Sequence, residues 1–493
     1  MRITQITGVP NSRTIAGLDH LLICVPEKIS AEVWRRIPQG AKVQALMKRR
    51  TPGSVPAITT RVNNKRQTAL SIGTISPDAG AFEQLTFGKK LVSAALSEAA
   101  GTLGLWALGF AERDAEKLVA RVLAATLAAA FPLADFKTKS RPERVKSVRI
   151  LGLDSKQDLG RITAEALGNN LARLLTALPP NKLDARGYIE LLQELSAEHG
   201  WHYRKYGVRE LRKLGAGAFL AVAQGNADDS AAIVHLQYRP GKKSGTPALS
   251  LVGKGIIFDT GGTNLKTFSS MVDMHIDMGG SAVAVGTLLA ISELRLPFAA
   301  DCWLAITENR TGPTAYKSQD VVTALNGKTI QTIHTDAEGR MVLADTLVLA
   351  CRENPGLVID YATLTGSCIN AITRRYSGIF TNRPDLHPLL KKTGRDSGER
   401  VWPFPAGKEY LEELKSETAD LAQCSPDAGG DHILAASFLN EFVTEQTPWI
   451  HVDLSASKRK GGLGHIPTEI TGFGVRYTMN LILDQNILGE PSR

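Results

Sequence analysis

Thr335-Asp336-Ala337-Glu338-Gly339-Arg340 sets two carboxylates two residues apart, with a guanidinium two residues further on. The preceding run, Val322 to Ile330, reads as a hairpin turned at Asn326-Gly327. The following run, Met341 to Ala350, repeats apolar residues at helical spacing. Asp336 and Glu338 are therefore expected where a strand hands over to a helix, and alternation in an extended segment points both side chains the same way. Facing carboxylates repel unless a cation lies between them. The pair predicts a metal, and Arg340 beside it predicts an anion. The plain alternative is favourable acidic charge at the positive end of a helix.

A second cluster follows the expected strand Ala248–Val252. Gly253-Lys254-Gly255-Ile256-Ile257-Phe258-Asp259-Thr260-Gly261-Gly262-Thr263-Asn264-Leu265-Lys266 leads into a helix expected around Ser269 to Gly280. Lys254, Asp259, Lys266 and Asp277 sit on Gly-rich segments beside apolar sequence, where a charge is costly to bury unless it is paired or metal-bound. A solvated surface amine is the plain alternative for each lysine. A dinucleotide fingerprint fits poorly, because Phe258 stands where its third glycine belongs. No phosphate-loop pattern and no His-Glu-x-x-His is present.

Val252 to Gly262, Asp277-Met278-Gly279-Gly280 and Thr335 to Arg340 resemble, in order and spacing, the motifs of the cytosol (leucyl) aminopeptidases. Leu178-Pro179-Pro180-Asn181, Glu308-Asn309, Ala362-Thr363-Leu364-Thr365-Gly366 and Ala428-Gly429-Gly430 extend the likeness across roughly residues 178 to 480. The resemblance implies two divalent ions, Zn²⁺ or Mn²⁺, in one site. Lys254, Asp259, Asp277, Asp336 and Glu338 match the ligands, and Asp259 and Glu338 would touch both ions. Lys266 and Arg340 match the catalytic cations. Lys266 would stabilise an oxyanion, and Arg340 would hold a bicarbonate that handles the proton. Met274, His334, Ala337, Thr363, Leu364 and Gly366 match residues around the substrate. The family usually carries Asn where this chain has His334, which leaves the preferred N-terminal residue open, and Met341 replaces the usual Leu. The resemblance also implies a homo-hexamer.

The elements that must position these groups alternate. Strands are expected at Leu21–Val25, Ala69–Ile72, Val148–Leu151, Ala232–Tyr238, Ala248–Val252, Cys302–Thr307, Leu357–Tyr361 and Trp449–Leu454. Helices are expected at Arg113–Ala130, Ser281–Leu294, Met341–Arg352 and Asp431–Glu445. This pattern predicts an α/β chain: a small N-terminal α/β domain over residues 1–170, a link near Asn169 to Pro180, and a larger catalytic domain over residues 178–493 with a mainly parallel sheet flanked by helices. Ligands in such sheets gather at the carboxyl ends of strands, where Lys254 and Thr363 to Gly366 fall.

At 493 residues the chain exceeds one ordinary core. Its N-terminus lacks the apolar run of a signal peptide, and its longest apolar stretch, around Leu118 to Phe131, contains Arg121 and falls short of a membrane span. Five scattered cysteines without a Cys-x-x-Cys argue for a reducing cytoplasm. His235, His275 and His451 read as structural histidines. Net charge is +9, with basic runs at Lys48-Arg49-Arg50, Lys137 to Arg149 and Lys458-Arg459-Lys460 that read as a solvated face.

Three functions from different classes follow: a metal-dependent aminopeptidase acting on peptides, a dinuclear hydrolase of another bond such as a phosphoester, and a DNA-binding or assembly protein with incidental peptidase activity.

Overall fold

The computed structural model describes residues 1–49, 54–98, 100–139, 145–241, 245–427 and 429–489. Arg50, residues 140–144 of the second basic run, and Ala428 lie outside the described residues. The chain divides into two compact units. One is Met1–Ala166 with Lys460–Glu469, and the other is Leu167–Arg459 with Ile470–Arg493.

The first unit is built on six strands in the order Arg2–Ile6, Ser147–Leu151, Thr102–Ala107, His20–Pro26, Ala69–Ile75, Ile58–Arg61. Among the described residues of this sheet, only the edge strand Ile58–Arg61 pairs antiparallel. His20–Pro26 is buried at every position, as a central strand covered on both faces must be. Helices Ala81–Leu96 and Glu112–Ala130 contribute Leu91, Val92, Val122 and Leu123 to a core shared with Leu22, Leu103 and Leu105.

The second unit carries eight strands in the order Val401–Pro403, Ser377–Thr381, Trp449–Asp453, Val358–Ala362, Leu249–Asp259, Ala300–Asn309, Ala232–Tyr238, His202–Gly207. Its centre, from Trp449–Asp453 to Ala300–Asn309, is parallel. Helix Gly279–Glu293 lies so close to this centre that a Cβ on Gly253 would stand 2.4 Å from Ser281 Cα, and one on Gly280 2.1 Å from Tyr361 O. Glycine is required there for close approach. The run Met274–Glu293 is long and apolar enough to cross a membrane by length and composition, exceeding the Leu118–Phe131 stretch, but 83% of its apolar window is buried inside the protein. An apolar helix covered on all sides is a core helix.

Three expectations are corrected. The stretch expected as a link from Asn169 is helical as far as Ala177, within Gly160–Ala177. Its polar residues serve the interior: Asn169 Nδ2 donates to Thr471 O at 3.0 Å and to Gly472 O at 2.9 Å. The helix expected to begin at Met341 begins at Glu338. The helix expected to run to Glu445 ends at Asn440.

All five cysteines are buried and free. His235 is buried, 3.0 Å from Asp301 and stacked on Trp303 with ring centroids 3.6 Å apart. His451 is buried 2.6 Å from Asp360. Both are structural, as expected.

Candidate metal centre

Parallel strands end together, so the loops that follow them converge. Lys254 stands inside the strand Leu249–Asp259, and Asp259 closes it. The chain then turns through Gly261 and Gly262, with φ of 87° and 66°, a conformation that favours glycine. This turn is fastened to the second motif by Thr335, whose Oγ1 donates to Gly261 O at 2.6 Å, while Asn264 N donates to Thr335 Oγ1 at 2.8 Å. Asp277 is carried by a short 3₁₀ turn, Met274–Met278, which leads into the core helix. Asp336 lies in a turn, and Glu338 is the first residue of helix Glu338–Arg352. The two carboxylates therefore meet through a turn and a helix start, not through strand alternation.

Lys254 Nζ lies 2.7 Å from Asp277 Oδ2 and 2.8 Å from Glu338 Oε1. Lys266 Nζ lies 2.9 Å from Asp259 Oδ2 and 2.5 Å from Asp336 Oδ1. Oxygens of Asp259, Asp336 and Glu338 lie within 4.8 Å of one another. Thr363 joins the cluster by donating from Oγ1 to Asp277 Oδ1 at 2.7 Å, and its carbonyl accepts from Lys254 Nζ at 3.1 Å.

Four carboxylates against two ammonium groups leave an excess of negative charge in a mostly buried space. Burial and the neighbouring carboxylates push Asp277 and Glu338 up to about 7 and Asp336 up to about 6. Burial pulls the Lys254 ammonium down, and Asp277, Glu338 and Asp259 more than reverse that, so its pKa is raised. Lys266 is raised in the same way by Asp259 and Asp336 against its own burial. Buried oxygens on Asp277 and Asp336 meet an ammonium in an ion pair without an aligned hydrogen bond. Such a set of hard oxygens with surplus negative charge could hold divalent cations.

Arg340 points elsewhere. It is buried, and its guanidinium donates to Gln423 O at 3.1 Å and from Nη2 to both carboxylate oxygens of Asp431 at 2.8 Å. His334 is exposed, and its pKa is lowered by partial burial and by Lys266. Ala337 is half-buried, with its carbonyl accepting from Gln423 Nε2 at 3.0 Å. Met274 opens the turn that carries Asp277. Leu364 follows Thr363 on the loop after the strand Val358–Ala362, with its N donating to Asp453 Oδ1 at 3.3 Å, and Gly366 opens the next helix, Gly366–Ile372.

Sequence reasoning passed over three contributors. Asn309, noted only as part of a motif, donates from Nδ2 to Asp259 Oδ1 at 2.8 Å, Thr335 O at 3.0 Å and Glu338 Oε2 at 3.3 Å. Gln423 gathers His334 N, Ala337 O and Arg340. Asp431 seats Arg340. The first lay in plain view at the end of a buried strand; the other two carry no local signal.

Residues 170–479 match the catalytic domain of the cytosol aminopeptidase family. The chain belongs to that family. Among its relatives, the probable cytosol aminopeptidase of Stutzerimonas stutzeri strain A1501 is 41% identical over 342 residues, covering 67% of this chain and 68% of the relative. That of Prochlorococcus marinus strain MIT 9313 is 34% identical over 457 residues, covering 91% of this chain and 92% of the relative. Of solved structures, the bottromycin maturation enzyme BotP in complex with Mn superposes with a TM-score of 0.80 at 27% identity, covering 95% of this chain and 99% of that one. A tomato leucine aminopeptidase mutant shares the fold with a TM-score of 0.86 at 24% identity, covering 98% of this chain and 97% of that one. This cytosol aminopeptidase family member is a hydrolase, a metal-dependent aminopeptidase.

Proposed function

We propose that this enzyme removes N-terminal residues from peptides with two divalent ions, Mn²⁺ or Zn²⁺, held by Lys254, Asp259, Asp277, Asp336 and Glu338. The observation that carries the reading is the convergence of these residues in one mutually bonded cluster. When bound, a metal pair supplies a shared water of lowered pKa and a seat for the free α-amine of the peptide. Asp259 and Glu338 are suited to bridging, because Asn309 orients both from a single amide. Lys266 stabilises the oxyanion formed at the attacked carbonyl. The segments bearing Met274, His334, Ala337, Thr363, Leu364 and Gly366 border the cluster, which supports their assignment to the substrate side.

The bicarbonate that the resemblance implies on Arg340 would meet its Nε, which is buried without a hydrogen-bond partner. The guanidinium engages the Asp431 carboxylate through Nη2 and the Gln423 carbonyl through Nη1.

A homo-hexamer is supported by the sequence resemblance, and a cytoplasmic location by the relatives' naming. Nucleic-acid binding gains nothing from the structure: in the third basic run, Lys458 is paired with Asp273 at 2.6 Å.

The test is release of leucine from leucine amide and a dipeptide, abolished by a chelator and restored by Mn²⁺ or Zn²⁺. Glu338→Ala is expected to lose turnover together with bound metal. Retention of both would remove Glu338 from the site, and turnover of a phosphate ester without amide cleavage would overturn the peptidase reading.

A further inference from the structure

Outside the ligand cluster, five cations gather at the same edge of the eight-stranded sheet. Strands Leu249–Asp259, Val358–Ala362 and Trp449–Asp453 run parallel and end at that edge. Strand Ser377–Thr381 runs antiparallel to the last of them, with Gly378 opposite Asp453, so its first residue enters there. Arg374 and Arg375 shortly precede it, and both are exposed. Val401–Pro403 pairs parallel with it, Ser377 opposite Val401, which brings Arg400 to the same edge. Lys458 and Arg459 follow Trp449–Asp453.

These groups are joined to one another and to the border of the site. Lys458 O accepts from Arg374 Nη1 at 3.5 Å, and Arg400 Cζ lies 4.5 Å from the centroid of the Tyr376 ring. Lys458 Nζ lies 2.6 Å from Asp273 Oδ2, and Asp273 directly precedes the turn Met274–Met278 that carries Asp277. Burial, then Arg375 and Arg459, lower the Arg400 pKa against the pull of Tyr376, so like charges crowd one another here. Thr373, which turns the chain into the arginine pair, has φ 61° and ψ 178°, a strained region kept almost entirely for glycine.

A surplus of guanidinium groups at the rim of a peptide site suits a carboxylate, which a planar guanidinium can grip through two parallel bonds. The strand ended by Asp259 and the strand that follows Arg375 have Val358–Ala362 and Trp449–Asp453 between them. At about 4.8 Å from strand to strand they stand about 14 Å apart, which an extended peptide covers in about four residues. We propose that Arg374 and Arg375 form a carboxylate-binding subsite for the leaving end of the peptide, about four residues beyond the first. This rests on the aminopeptidase reading above and names its substrate class: peptides with an acidic side chain or a free C-terminus at that distance. Lys458 is held by Asp273, which leaves the two arginines as the groups that meet the carboxylate. A carboxylate among so few cations fits one anionic group better than a phosphate backbone, which takes a row of contacts.

The test uses the full-length, metal-loaded chain and three peptides: Leu-Gly-Gly-Gly-Gly as the free acid, the same peptide as its C-terminal amide, and Leu-Gly-Gly-Glu-Gly amide. Each kcat/KM is divided by that for leucine amide, which ends before the patch. Wild type is expected to favour at least one carboxylate-bearing peptide over the neutral amide by about 5-fold, through KM, with the preference fading as salt screens it. An advantage confined to the free acid assigns the subsite to the C-terminus, and one shared by the glutamyl peptide assigns it to acidic side chains. Arg374→Ala/Arg375→Ala should bring the ratios to about one. Arg374→Glu/Arg375→Glu should reverse them in favour of Leu-Gly-Gly-Lys-Gly amide, which loss of packing alone would not do. The proposal is overturned if wild type shows no preference, if the double alanine variant keeps it, or if the arginines govern salt-sensitive retention on duplex DNA and not the peptide ratios. Should wild type cleave neither leucine amide nor any peptide with either metal, the aminopeptidase reading falls. Calorimetric titration of the same peptides into wild type and the double alanine variant then decides the subsite separately.

Discussion

Gly339 lies directly beneath the Lys254 side chain: a Cβ on Gly339 would stand 2.8 Å from both Cε and Nζ of Lys254. The helix Glu338–Arg352 thus begins with a ligand candidate and then a residue whose missing side chain makes room for another. Alanine is the better helix former by about 1 kcal/mol, so the position runs against local preference. Gly339→Ala is expected to lower the metal-free melting temperature, because the displaced Lys254 loses its buried ion pairs with Asp277 and Glu338, which outweighs the helix-propensity gain. Displacement of the Lys254 nitrogen should lower turnover by about 10²-fold and reduce bound metal. Wild-type turnover with full metal content would show that the lysine need not sit where it does.

Lys266 bridges Asp259 and Asp336 and is less buried than Lys254, with side chains 14% and 3% exposed. A group that stabilises charge developing in the transition state affects rate more than it affects the resting site. Lys266→Ala should therefore cut kcat by about 10²- to 10³-fold while metal stoichiometry, read by elemental analysis, falls little. An unchanged kcat would exclude it from oxyanion stabilisation.

His334 is exposed beside the ligand loop, and its Nδ1 accepts from Asp336 N at 3.3 Å. Its bulk, if it borders the first residue of the peptide, selects among side chains. For His334→Asn the expected outcome is a changed ranking of N-terminal residues across a panel of aminoacyl amides, with differences on the order of 10-fold, as one or two methylenes typically produce. Identical rankings would assign His334 to space filling.

His20 predicts a pH dependence confined to the first unit. The ring is fully buried with Nε2 2.9 Å from Ser71 Oγ, and burial lowers its pKa to about 4. The folded value lies below the unfolded value of about 6.5, so the unfolded chain takes up the proton first as pH falls. The stabilisation is complete above about 6.5 and is lost on descending towards 4, a change on the order of 3 kcal/mol. Protection factors of amides in the Met1–Ala166 sheet, corrected for the intrinsic pH dependence of exchange, should fall between pH 6.5 and 5, and His20→Gln should flatten that slope. An equal slope in the variant would place the acid sensitivity elsewhere.

Much of the site could be read from residue types alone. Lys254, Asp259, Lys266, Asp277, Asp336, Glu338 and Arg340 stand out because charge next to apolar strands and glycine turns is costly without a purpose, and the family resemblance divided them into ligand and catalytic candidates. The structure brings the five ligand candidates together from three separate segments: the strand Leu249–Asp259, the 3₁₀ turn Met274–Met278 and the start of helix Glu338–Arg352. The strand and helix alternation of the second unit was visible because the buried central strands and core helices are nearly continuous apolar runs. Local pattern misled where polar residues serve a packed interior: Asn169 looked like part of a link, yet it donates to backbone 302 and 303 positions away.

The sequence by itself determined which side chains could do chemistry and the order of elements that carry them, because those signals are local: a spacing, a turn residue, a period. Tertiary structure decided who faces whom. Asn309 orients Asp259 from 50 positions away, and Asp431 reaches Arg340 from 91. Contacts of that span leave no periodicity in the chain; they exist only once parallel strands have carried their loops to one edge of the sheet.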